Sequence, residues 1–389
     1  MMTRAHAWLA LGLVPLLVAA CSSSSTGSSD GTTPTVDLPR ANSAIGALRL
    51  EGSNGERWYS DGTADDAAAD LVSIPGHNAF WFAWSVFHPG TEVWGGDPIA
   101  AASIVEDPSG QCTIPCDEIF SGCAGRDCIP PLDSPEVVPV GSPHLSYLND
   151  DDIVLGVRTA DGPRAYPHNI LWWHEVANVE IDSEAFAVTL CPLTGSGMRF
   201  DRRGFVDGQT VRLGVSGLLY NSNLIMWDRE TESIWSQMRL EALSGPQIRN
   251  VSPLLPVLEM TWLAWRTLHP DTLALSSATG FPRNYETYPY VRGGVDYRTN
   301  DNDTFATTRP PPDDQFENKD MVFGVIINGA VKGYVWKRLQ EEVGADQGVI
   351  EDEVGATPIA VVFHLPSRYV HAFERSVGGE SINLAFQRQ

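Results

Sequence analysis

Apolar and polar positions alternate with a period of two in several short runs: "DIVLGVRT" from Asp152, "FAVTLCPL" from Phe186, "GMRFDR" from Gly197, "TVRLGVSG" from Thr210 and "VFGVIING" from Val322. Such alternation predicts half-buried strands, and Asp207-Gly208 and Asn328-Gly329 mark hairpin turns between them. Helical spacing is rarer. In "FWFAWSVFH", Trp81, Trp84 and Phe87 share one face, and Pro89 stops the run. The pattern predicts a mainly β fold (β-rich α+β): two duplicated, strand-rich units with a few short helices.

The duplication is read from matching segments. "WFAWSVFHPGT" (Trp81 to Thr91) and "WLAWRTLHPDT" (Trp262 to Thr272) agree at six of eleven positions. "VLGVRTADGPRAYPHNIL" from Val154 resembles "VFGVIINGAVKGYVWKRL" from Val322. "AVTLCPLTGSGMRFDR" from Ala187 resembles "AVVFHLPSRYVHAFER" from Ala360, which sets His364 opposite Cys191. The second strand block runs to the C-terminus with no Trp-Trp-His-Pro segment after it. The N-terminal segment is therefore expected to complete the C-terminal unit. A polar stretch with Pro310, Pro311 and Pro312 separates the two as a loop.

The first residues change the picture by setting a compartment. Arg4, a short apolar run and "LLVAACSSSS" look like a bacterial lipoprotein signal, with Cys21 acylated, and no other stretch is apolar for long enough to span a bilayer. "SSSSTGSSDGTTPTVDLPR" reads as a flexible tether. The organisation expected is a signal peptide (1–20), a tether (21–41), an N-terminal segment with the Trp-Trp-His-Pro helix (42–111), a first unit (112–257) and a second unit (258–389). The expected location is the bacterial cell envelope, at the outer membrane, facing the periplasm or the cell surface. The lipid is the only membrane contact expected. A net charge of −23 with scattered basic residues argues against nucleic acid as a partner.

In such a compartment, Cys112, Cys116, Cys123 and Cys128 in "CTIPCDEIFSGCAGRDC" are best read as two disulfides. Of three pairings, Cys112 with Cys116 and Cys123 with Cys128 is favoured. Zinc competes, but the spacing lacks paired C-x2-C knuckles. Cys191 is left as an unpaired thiol.

"YPHNILWWHEVAN", "CPLTGSGMRFDR", "GVSGLLYNSNLIMWDRETESIWSQ" and "WLAWRTLHPDT", in that order, resemble the bacterial family DUF3179, a domain of unknown function. The likeness covers roughly residues 115 to 386. It names a family without implying an activity. The family pattern usually has Cys-Pro-Leu-Cys-Gly where this chain has Thr194, which argues against a site needing two cysteines. Cys123 and Cys128 stand at glycine positions of a family loop.

The strongest constellation is His174 and Glu175 in "WWHE", Cys191, and the turn Tyr220 to Asn223 before Asp228. Three readings stay open. Imidazole and thiolate, with Met198 or Met226, would suit a copper or zinc ion held by Cys191 and His174. Alternatively, Cys191 is a nucleophile for acyl or thiol transfer, activated by His174 and oriented by Glu175 or Asp228, although Pro192 removes an N–H that could serve an oxyanion hole. Thirdly, Trp172, Trp173, Trp227, Trp235, Trp262 and Trp265 serve a carbohydrate- or peptide-binding module or scaffold. Asp228 with Arg229, and Asp201 with Arg202, are expected ion pairs.

Overall fold

The computed structural model describes residues 45–387, apart from 47, 68, 103–104, 303, 306 and 308–313. The expected signal peptide, the acylated Cys21 and the tether lie outside the described residues. Short strands dominate, with α-helices α1 (Trp81–Phe87), α2 (His168–His174), α3 (Trp262–Leu268) and α4 (Trp336–Val343).

The repeat seen in the sequence is a repeat of elements. The first copy runs Ile153–Thr159, Gly162–Pro167, α2, Val176–Ile181, Glu184–Cys191 and Ser196–Asp201. The second runs Met321–Ile327, Ala330–Val335, α4, Gln347–Val354, Thr357–His364 and Tyr369–Glu374. Cys191 pairs with Ser196 at the end of one hairpin, and His364 with Tyr369 at the end of the other. His364 thus holds the place of Cys191.

The Trp-Trp-His-Pro helices are exchanged along the chain. Gly76–Phe80, just before α1, pairs with Met321–Ile327, and Glu92–Val93, just after it, lies parallel to Ala330–Val335. Leu258–Thr261 and Leu273–Leu275 flank α3 and pair in the same way with Ile153–Thr159 and Gly162–Pro167. The N-terminal segment therefore builds the copy that contains His364, and the residues from Leu258 build the copy that contains Cys191. The copies interleave in sequence.

Seven-residue helices are too short to persist alone, so packing must hold them. The Trp84 indole lies over Gly324 and the Trp265 indole over Gly156, so closely that a Cβ at either glycine would overlap the ring. The indole N–H donates to Thr91 (3.1 Å) or Thr272 (2.8 Å), and the His88 or His269 ring packs tilted against the indole at 4.2 Å between centroids in both copies. That geometry accounts for the Trp, His and Thr shared by the two segments.

Two insertions shape the region around Cys191. The hairpin Leu213–Tyr220 with Asn223–Asp228 turns through Asn221 and Ser222, both at positive φ (45° and 65°). Positive φ at both central residues is the two-residue hairpin turn that matches strand twist. The linker between the copies, 276–320, crosses α2, where Asn169 Nδ2 donates to Tyr285 O (3.2 Å) and Tyr288 packs on Trp172 at 4.8 Å.

Candidate functional site

Cys191 ends its strand, 1 % exposed, and its S–H donates to Ser222 O of the hairpin turn at 3.5 Å. Burial, and then the neighbouring Glu175, push its proton affinity up to about 11. The thiol is therefore protonated at neutral pH, when both metal binding and nucleophilic attack need thiolate.

His174 is the last residue of α2, and both its nitrogens are engaged. Nδ1 donates to Pro130 O at 2.7 Å, which leaves Nε2 to accept from Tyr285 O–H at 2.7 Å. Tyr285 in turn meets Thr279 Oγ1 at 2.5 Å. Burial lowers the imidazole's proton affinity against the pull of the Pro130 carbonyl. Cys123 and Cys128 form one disulfide, with Cα atoms 6.2 Å apart, just ahead of Pro130; Cys112 and Cys116 form the other at 5.7 Å. The favoured pairing is thus present, and the second loop carries the carbonyl that holds His174.

Glu175 is the residue that faces the thiol electrostatically. It closes α2 with φ 56° while its N–H donates to Leu171 O (2.8 Å) and its carbonyl accepts from Leu190 N (2.8 Å). A left-handed conformation at a non-glycine residue is held by its surroundings at a cost. Its carboxyl is buried and accepts from Tyr290 O–H at 3.4 Å. Burial pushes its proton affinity up to about 8, against the Tyr290 hydrogen bond. Burial thus favours the neutral carboxylic acid, which can donate a hydrogen bond.

The remaining candidates take structural places. Asp228 Oδ2 accepts from Thr231 Oγ1 (2.7 Å) and Trp235 Nε1 (2.8 Å), and Oδ1 from Thr231 N, so it fastens its own turn and does not orient His174. Arg229 pairs with Asp127 (2.9 Å) instead of Asp228, and Asp201 with Arg203 (3.0 Å) instead of Arg202. The neighbouring charge is nearer in sequence, but Asp228 is already filled and Arg202 is drawn to the carbonyls of Val211 and Val179. Met198, Met226, Trp235 and Trp265 are fully buried, while Trp172, Trp227 and Trp262 are nearly so. Trp173 is partly buried beneath Arg283.

Thr194 anchors a buried polar network. Its hydroxyl bonds Ser196 Oγ (2.8 Å) and accepts from Asn223 Nδ2 (3.0 Å), which also donates to Gln237 Oε1 (2.8 Å); Gln237 Nε2 reaches Thr189 Oγ1 (2.8 Å). Every member has a partner, which rigidifies the hairpin beside Cys191. Sequence reasoning missed the linker tyrosines 285 and 290. Their signal was the aromatic density of "NYETYPYV", a stretch given no reading from the sequence.

Among the described residues no cluster of three or more His, Cys, Asp or Glu is placed to hold a metal ion. The candidate residues are buried hydrogen-bonding groups that Tyr285 and Tyr290 contact. No curated protein and no solved structure matches the chain. A family model described as "Protein of unknown function (DUF3179)" matches residues 126–388, most of the chain and the whole of this site, and the protein belongs to that family.

Proposed function

We propose that this protein is a non-enzymatic, lipid-anchored envelope protein, held by an acylated Cys21, whose site around Glu175 and Cys191 takes a small uncharged ligand. The observation that carries the reading is Glu175: a buried carboxyl whose one side-chain hydrogen bond among the described residues comes from Tyr290, near the buried Cys191 thiol, with burial raising the proton affinity of both. Such a pair offers hydrogen bonds without charge. Copper or zinc at Cys191 and His174 is disfavoured because both His174 nitrogens already serve Pro130 and Tyr285. Thiol catalysis is disfavoured because burial keeps the proton on sulfur.

The test is iodoacetamide labelling of Cys191 across pH, with elemental analysis of the purified full chain. The expected result is labelling that is slow at pH 7 and accelerates only in strongly alkaline solution, with no stoichiometric metal. Fast labelling at pH 7 would favour the thiol enzyme. Copper or zinc lost in Cys191→Ser would favour the metal centre.

A further inference from the structure

The helix segments of the two copies are held by the same backbone bonds, which makes their surroundings directly comparable. Trp262 N donates to Asp152 O (2.7 Å) and Leu263 N to Asp150 O (2.9 Å); Trp81 N donates to Asp320 O (2.8 Å) and Phe82 N to Asn318 O (3.1 Å). By that register Arg266 corresponds to Ser85, and Leu148 to Phe316.

Beside α1 the space is closed. Phe316 packs edge-on against Trp81 at 4.9 Å, and Ser85 is fully buried. Beside α3 it is open: a cleft of about 190 Å³ is lined by Ser142, Leu145, Ser146, Asp150, Trp262 and Arg266. Leu148 is shorter than phenylalanine and is not among the lining residues. One copy closes the space beside its helix with Phe316, and the other has a cleft beside its helix.

The lining indicates what would fill it. Arg266 pairs with Asp150, their side chains 33 % and 58 % exposed, so an acceptor and donors stand together at the rim with no net charge. Arg266 Nε is out of contact with water and has no hydrogen-bond partner among the described residues. A charged ligand would have to break the Arg266–Asp150 pair, and a free anion would also meet a chain of net charge −23. Hydroxyl groups both donate and accept, and so match the pair, Ser142 and Ser146 together. Leu145 and Trp262 supply an apolar wall.

We infer that the cleft beside α3 binds a single neutral, polyhydroxylated ring, a monosaccharide or cyclitol. This site is separate from Glu175 and Cys191 and does not depend on them.

The test uses the full chain, with glucose, galactose, mannose, N-acetylglucosamine and myo-inositol as neutral probes and glucuronate and glucosamine as charged counterparts. The readouts are the amide signals of Ser142 to Ser146 and the Trp262 indole signal in nitrogen–proton NMR spectra. At least one neutral probe is expected to shift these signals saturably. Arg266→Ser, which copies Ser85, is expected to weaken binding roughly tenfold or more. Ser146→Leu, which removes a lining hydroxyl and adds bulk, is expected to do the same and carries the test if the first variant unfolds. The inference is overturned if no neutral probe gives a saturable shift, if charged probes bind in preference, or if binding survives both variants unchanged.

Discussion

The two copies agree where the chain must pack and differ where it could do chemistry. Both place a tryptophan over a strand glycine and send its N–H to a threonine. At the hairpin end they part. The first copy has Cys191, then Gly195 in the left-handed region (φ 63°); the second has His364, then Arg368 in the same conformation (φ 52°). His269 meets the buried carboxylate of Asp61 at 2.8 Å, whereas burial pushes His88 down to about 3, with Arg239 adding to the effect. A duplicated scaffold can hold its fold with a few shared contacts while one copy keeps a site and the other loses or never gains it.

The comparison breaks most readily at the shared contact. Trp84→Ala and Trp265→Ala should each cost about 3–5 kcal/mol in denaturant unfolding, since each removes a fully buried indole and leaves a cavity. Equal costs support one device used twice. If either substitution costs less than about 1 kcal/mol, that copy is held some other way.

The repeat was legible because its contacts are local in pattern: Trp, His, Pro and Thr recur within eleven residues, and strands show their period directly. The site was legible only in part. Cys191 stood out by arithmetic, and His174 and Glu175 by their motif. The left-handed turn at Glu175 is a backbone choice that no residue type announces there. The partners that decide the chemistry come from afar: Tyr285 is 111 residues from His174, and Tyr290 is 115 from Glu175. Periodicity and spacing carry no information about contacts of that separation.

A smaller effect sharpens the difference at the hairpin ends. Gly195→Ala should destabilise by about 1–2 kcal/mol, because a side chain at positive φ is strained and its Cβ would press on Phe80 at 3.2 Å. Arg368→Gly relieves the same backbone cost but removes a buried guanidinium that lies over Trp336 and faces the buried Glu259, so a net loss is expected by thermal unfolding. A neutral outcome there would mean that the turn, and not the Arg368 side chain, sets the second copy's hairpin end.

The protonation of Glu175 is tested most directly by its carboxyl infrared band, followed against pH as the difference between the full chain and Glu175→Gln. The ordinary value is 4.5 and the folded value about 8, so the folded protein binds the extra proton between them. Over that window stability should fall as pH rises, and Glu175→Gln should flatten the slope. The predicted result is a neutral carboxyl band present at pH 7 that disappears only near pH 8. A band that titrates in the ordinary range near 4.5 would make Glu175 a plain carboxylate at pH 7 and would contradict a neutral ligand site beside Cys191.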